Sequence, residues 1–275
     1  MPPGSRLSQE VDMTRLVFIS VILMASVLVG CSGSKSTGPA QGRLQVFLQD
    51  ASAKFDSIKV NIQEISVRYN YAPPDSETGW YIIYDDSLTY DLVKLRNGRR
   101  EQLFNRDVPT GFYRYARIIF GGCLAVRNDT VYSLEFPSTA GNRVVSEGYY
   151  VEVVKDETAE ALIDIDVYST IQYDADSSRY YFSPQFRYIA IDSTGGVNGN
   201  IIPAADIYMT VHDQSDTLGM TTTEFNHAFG FFGLPRGYYD FFIFPRDTTY
   251  QDWEIINVPV IPGTNYNVGT IELPR

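Results

Sequence analysis

The chain has 275 residues and carries 33 acidic against 22 basic side chains, a net charge of −11. That surplus repels phosphate backbones and so argues against nucleic acid as a partner, while solubility alone is enough to explain it. Only two cysteines are present, so at most one disulfide can form and the fold has to be held by its apolar cores.

Residues 16–29 form an apolar run broken only by Ser20 and Ser26. A helix that crosses the ~30 Å hydrocarbon core needs about 20 apolar residues, so this run is short for a span. It fits the h-region of a secretory signal peptide covering residues 1–30. Upstream, Arg6 and Arg15 are cancelled by Glu10 and Asp12; a true start at Met13 leaves Met13-Thr14-Arg15 as a short positive n-region. The run ends in Leu28-Val29-Gly30-Cys31, which has the spacing of a lipobox, where the leader is cut before a cysteine. The plainer reading, an ordinary cleaved signal with Cys31 merely nearby, is disfavoured by that spacing. Cleavage removes two basic and two acidic residues, so the charge stays at −11. Once Cys31 is lipidated, Cys123 has no disulfide partner. Residues 32–41 (SGSKSTGPAQ) are small and polar, and with Cys31 they make a flexible tether of roughly 17 Å reach by random-coil scaling.

Strand patterns begin at Gly42. Leu44, Val46 and Leu48 alternate with Arg43, Gln45 and Gln49, the period of a half-buried strand. Ile58, Val60 and Ile62 continue the period, and Ile65 and Val67 fall out of phase, which predicts a bulge near Gln63-Glu64. A turn-rich loop at 71–79 (YAPPDSETG) precedes a strand over 80–84, and Asn97-Gly98 is a turn signal. Val108-Pro109-Thr110-Gly111-Phe112-Tyr113 opens a long apolar strand over 113–120. A related phrase, Leu234-Pro235-Arg236-Gly237-Tyr238-Tyr239, opens another over 240–244. In each, Pro fixes φ at a corner and Gly is expected to supply a positive φ beside it. No segment holds a helical period; over 157–165 the Ile163/Ile165/Val167 alternation favours strand. The polar, Gly-rich Asp192-Ser193-Thr194-Gly195-Gly196 is the expected boundary between domains. The fold class is all-β, with two β-sandwich domains at 42–191 and 196–275.

Several stretches resemble known families. The Leu-x-Gly-Cys leader is similar to those of bacterial lipoproteins, which implies a thioether diacylglycerol and an acylated (palmitate-type) amine on Cys31. One acyl chain binds membranes marginally, whereas two or more anchor stably. Ser32 is not the aspartate that retains many such proteins in the inner membrane, which implies the outer membrane without deciding which side. Residues 42–190 resemble the bacterial lipoprotein domain of unknown function 4382 (DUF4382). The matching text is Gly42-x-Leu44-x-Val46-x-Leu48-x-Asp50-Ala51, Phe55-Asp56-Ser57-Ile58-x-Val60, Trp80, Tyr90-Asp91-Leu92, Asn97-Gly98 and Pro109-x-Gly111-x-Tyr113-x-x-x-Arg117. It closes with Ile163-Asp164-Ile165-Asp166 and Tyr181-Phe182-x-Pro184-x-Phe186-Arg187. This resemblance implies no activity. Residues 196–273 look like a carboxypeptidase-regulatory-like domain, a transthyretin-type sandwich grouped with carbohydrate-binding-like folds. The shared text is Phe229-x-Phe231-x-Gly233-Leu234-Pro235-x-Gly237-x-Tyr239, Val258-x-Val260 and Gly269-Thr270-Ile271-x-Leu273. Asn226-His227 stands where that family usually has Asp-Gly, so the turn there is expected to differ.

Few residues invite chemistry. Cys123 lacks a histidine nearby in sequence and reads as a small buried apolar residue rather than a nucleophile. His212 and His227 have no ligand spacing for zinc. Asp174 and Asp176 resemble the start of a calcium loop but lack its Gly and distal Glu. Asp164 and Asp166 share a strand face. They are weak metal candidates, and a salt-bridge cluster with Arg117 and Arg187 is the stronger expectation. Asp85-Asp86 and Asp213/Asp216 complete the acidic pairs, and carboxylate separation for glycoside hydrolysis is not legible from sequence. Trp253, Tyr250 and Trp80 follow loops and are candidates for stacking on sugars, against the plainer reading that they cap the sandwich cores. The expectation is a lipid-anchored envelope protein, with no catalysis of its own and no cofactor, that binds an envelope protein or polysaccharide. Carbohydrate recognition by the C-terminal domain is the alternative within binding, and a carboxylate-based hydrolase is the rival class.

Overall fold

Alternation of apolar and polar side chains becomes four β-sheets in the computed structural model, which describes residues 39–51, 55–69, 78–138 and 141–275. The leader, Met13, Cys31, the tether to residue 38 and most of the 71–79 loop lie outside the described residues. Among the described residues no helix is long and apolar enough to cross a membrane.

The first sheet orders β12 (Phe186–Ala190), β9 (Thr158–Asp166), β1 (Gln41–Ala51) and β5 (Glu101–Pro109). Its β1–β9 pair is parallel, and the other pairs are antiparallel. Against it lies a larger sheet centred on β2 (Ser57–Tyr69) and the seventeen-residue β6 (Gly111–Arg127). Around that pair sit β3 (Trp80–Tyr84), β4 (Leu88–Asp91), β7 (Thr130–Glu135), β8 (Arg143–Val153), β10 (Ile171–Asp174) and β11 (Arg179–Phe182). Leu44, Val46 and Leu48 of β1 and Ile58, Val60 and Ile62 of β2 are fully buried in one core. The register of β2 against β6 shifts between Ile62 and Glu64, which puts Ile65 and Val67 back into that core as their phase change requires.

A second pair of sheets encloses a second core, running from Val197 to Leu273. One orders β16 (Ala228–Pro235), β13 (Thr194–Ile202) and β19 (Asn265–Glu272). The other orders β15 (Thr217–Thr222), β14 (Ala205–Val211), β17 (Gly237–Pro245) and β18 (Trp253–Val260). The stretch expected as the boundary, residues 192–196, is regular structure. Ile191–Ser193 is one 3-10 turn and Thr194 already begins β13, with Thr194, Gly195 and Gly196 buried. A Cβ on Gly195 would sit 2.5 Å from the Ile261 carbonyl oxygen, so this glycine serves a close backbone approach rather than flexibility.

Both sandwiches use the same corner. The strand antiparallel to the first strand ends at a proline (Pro109 or Pro235), and one residue later the chain enters the opposite sheet. The Tyr113 hydroxyl donates to the Pro109 carbonyl at 2.8 Å, and that of Tyr239 to the Pro235 carbonyl at 2.9 Å. Each tyrosine is buried and closes the corner in the manner of a tyrosine corner. The expected glycine geometry holds only once. Gly111 has φ 146°, while Gly237 has no positive φ and the left-handed residue of the second copy is Gly233, at φ 71°.

Residues 40–275 form one compact unit, and the two sandwiches within it interlock. The 97–98 turn has both residues at positive φ (55° and 81°) and enters the second sandwich. Asn97 Nδ2 donates to the Thr222 carbonyl (3.2 Å) and to Glu224 Oε1 (2.9 Å). Asn97 Oδ1 accepts from the Thr221 hydroxyl (2.8 Å) and the Gly230 amide (3.1 Å). Glu224 also pairs with Arg99 at 3.1 Å and Arg96 at 3.5 Å. Gln49, the polar end of the β1 alternation, is buried because the second sandwich covers it, and its Nε2 donates to the Phe232 carbonyl.

Candidate functional site

The outer face of the β15-β14-β17-β18 sheet gathers exposed aromatic side chains. Ile207 and Met209 of β14 and Phe241 and Ile243 of β17 belong to the core, so the alternation turns Tyr208, Phe242 and Phe244 outward. Tyr208 is directly opposite Phe242, which is in turn opposite Glu254 on β18. The rings of Tyr208 and Phe244 meet edge to face with centroids 5.4 Å apart. Phe244 is 43% exposed and Trp253, the first residue of β18, 47%. Phe242 and Phe244 form a ridge between two shallow grooves. One, of ≈ 540 Å³, is lined by Asp206, Tyr208, Thr210, Ser215 and Thr217; the other, of ≈ 640 Å³, by Asp252, Trp253 and Glu254. Arg246 donates twice to Asp206 Oδ1, both at 3.2 Å. The carboxylates of Asp252 and Glu254 make no hydrogen bond or ion pair among the described residues and stand exposed at the rim.

Of the three aromatics singled out in the sequence, only Trp253 reaches this face: it lines the second groove from the start of β18, although its place opposite the inward Ile243 sets it out of phase with the outward row. Tyr250 packs half-buried on the second core, with the Arg275 guanidinium 5.1 Å above its ring and donating to its hydroxyl at 3.2 Å. Trp80 is covered by Arg117 (4.6 Å to the ring centroid) and Arg68 (5.3 Å). Tyr208, Phe242 and Phe244 were missed. Their signal is the outward phase of β14 and β17, which needs the inward residues to be assigned first.

Several of the remaining candidates find structural partners. Asp164 pairs with Arg187, its direct neighbour across β9–β12. Burial works against the charge on Arg187, and Asp164 outweighs it, holding the guanidinium above its ordinary value. Arg117 does not join that cluster; it pairs with Glu64 at 3.2 Å and bonds the Ser66 hydroxyl. No group of three or more His, Cys, Asp or Glu positioned for a metal occurs among the described residues. The Asp174 carboxylate takes the Ser177 hydroxyl (2.6 Å) and the Asp176 amide (3.0 Å), which caps its own turn and lowers its pKa. Cys123 is buried, and burial raises its pKa to about 11, far from a nucleophilic thiolate. His212 Nδ1 contacts Asp240 at 2.8 Å. His227 has a positive φ of 65° in the turn that leads into β16, and its amide donates to the Glu224 carbonyl at 2.9 Å.

Comparison with known proteins gives one family. The model described as "Domain of unknown function (DUF4382)" matches residues 41–184, over half of the chain. No curated protein matches in sequence. Among solved structures, similarity extends to GBS52, the minor pilin of Streptococcus agalactiae (11% identity, 84% of this chain and 95% of that one, TM-score 0.23). It extends also to BcpA, the major pilin subunit of Bacillus cereus (11%, 85% and 70%, TM-score 0.24), and to the Bacillus anthracis TIE protein (12%, 86% and 34%, TM-score 0.24). The chain thus spans about a third of the TIE protein. Superpositions this poor carry no argument about fold or activity.

Proposed function

The chain belongs to the DUF4382 family, and we propose that it is a non-catalytic binding protein of the bacterial cell envelope, anchored through lipid on Cys31. The observation that carries the binding part is the open aromatic face of the β15-β14-β17-β18 sheet. A shallow, two-sided ridge suits an extended ligand laid across it, whereas an enzyme site is typically a concave, enclosed pocket with converging polar groups. The envelope part rests on the Leu28-Val29-Gly30-Cys31 spacing and the likeness to lipoprotein leaders.

Cosedimentation of the purified full-length protein with isolated bacterial envelopes tests the binding face. With both proteins in the non-acylated Cys31→Ala background, so that lipid does not bring them down, the parent should pellet with envelopes and the Phe244→Ala/Trp253→Ala variant should stay in the supernatant. Equal pelleting would defeat the assignment. Anchoring has a separate readout: metabolic palmitate labelling should be present in the wild type and lost in Cys31→Ala, and labelling that persists would remove the anchor.

A further inference from the structure

We infer that the ligand of this face is an uncharged linear polysaccharide lying across the strands, its rings on Tyr208, Phe242/Phe244 and Trp253 and its hydroxyls on Asp252 and Glu254. The inference rests on the binding face proposed above and adds the ligand's class and direction.

Direction follows from the register. Tyr208, Phe242 and Glu254 stand side by side on β14, β17 and β18, and neighbouring strands are about 4.8 Å apart. This row of two aromatics and one carboxylate runs perpendicular to the strands for about 10 Å from β14 to β18, with a groove on each side of the Phe242/Phe244 ridge. A polymer of rigid rings can lay successive apolar faces on such a row, whereas a peptide adding to the sheet would run along the edge strand instead.

Class follows from charge. The grooves hold carboxylates (Asp206, Asp252, Glu254) and hydroxyls (Thr210, Ser215, Thr217), and no basic side chain among the described residues lines either of them. The nearby Arg246 is engaged by Asp206. Carboxylates only accept hydrogen bonds, so the unpaired Asp252 and Glu254 match a ligand rich in hydroxyl donors. The same groups, on a chain of net charge −11, repel uronic-acid or sulfated polymers.

Native affinity electrophoresis through gels containing galactomannan, hydroxyethyl cellulose, alginate or polygalacturonate tests the class. At least one uncharged polymer should retard the full-length protein, and the two anionic polymers should not. The Asp252→Asn/Glu254→Gln variant should bind the uncharged polymer about tenfold more weakly, the effect of one lost charge-assisted hydrogen bond, without loss of its circular dichroism spectrum. Binding to alginate or polygalacturonate as tight as to the uncharged polymers overturns the inference. So does aromatic-dependent envelope binding that protease treatment of the envelopes abolishes, or that occurs when neither uncharged polymer binds; in those cases the binding face stands and only the ligand class falls. Envelope binding indifferent to Phe244→Ala/Trp253→Ala removes both.

Discussion

The two tyrosine corners and one acid make the clearest cases at the level of single residues. Tyr113 is fully buried and its hydroxyl serves the Pro109 carbonyl; Tyr239 repeats this with Pro235. Phenylalanine keeps the packing but leaves a carbonyl without its donor, buried at Pro109 and half-buried at Pro235, so Tyr113→Phe should cost about 1–2 kcal/mol in urea unfolding and Tyr239→Phe less. A change of a few tenths would mean that water replaces the hydroxyl. The repeated Pro-x-Gly-x-Tyr phrase was visible in the sequence, but the bond was not, because it forms only when the chain turns between sheets. Asp240 supplies a pH dependence. Burial raises its pKa, but the Asn257 amide, His212 and the Asp213 amide together hold it below the ordinary carboxylate value. A depressed folded pKa adds stability above the unfolded value of about 3.9, and this is lost as pH falls through the folded value. The unfolding free energy should therefore drop below about pH 4, with a shallower drop in Asp240→Asn; an identical acid limb in both would show that Asp240 does not contribute.

Elements of this chain are locally legible and globally not. Strand phase, the β2 bulge and the 97–98 turn all follow from short-range pattern, because side-chain alternation and positive-φ preference act within a few residues. What that turn does depends on residues more than a hundred positions away. Asn97 spends its whole hydrogen-bonding capacity on Thr221, Thr222, Glu224 and Gly230, and a Cβ on Gly98 would lie 2.7 Å from the Phe232 ring. Gln49 tells the same story: its outward phase was right and its exposure was not, since another sheet lies on top of it. The proposed binding face was half legible, Trp253 through its loop and Phe244 only through the strand's phase. Asn97→Ala removes four bonds at a partly buried joint and should cost about 2–4 kcal/mol. Gly98→Ala should destabilise through both its φ of 81° and the ring contact. Wild-type melting behaviour in either variant would show that the joint is not stabilising.

Across the whole molecule, two cores tied by a polar interlock, with Leu162 packed against Gly233 beside it, raise the question of whether they unfold together. Each core could satisfy the requirements of a small domain, yet Asn97, Gln49 and the Glu224–Arg99 pair tie them. Breaking such a joint exposes Phe232 and strands Gln49, so the sandwiches should unfold as one cooperative unit while it is intact. The chain carries its own reporters. Of its two tryptophans, Trp80 lies in β3 of the first sandwich and Trp253 in β18 of the second. Trp253→Phe leaves fluorescence to the first core and Trp80→Phe leaves it to the second, while far-ultraviolet circular dichroism sees both. In each single-tryptophan protein the fluorescence and dichroism midpoints in urea should coincide. Adding Asn97→Ala should separate them, because each core then unfolds at its own stability. Midpoints that already differ with Asn97 present would mean that the interlock positions the sandwiches without coupling their stability. In that case the proposed binding face would depend on the second core alone.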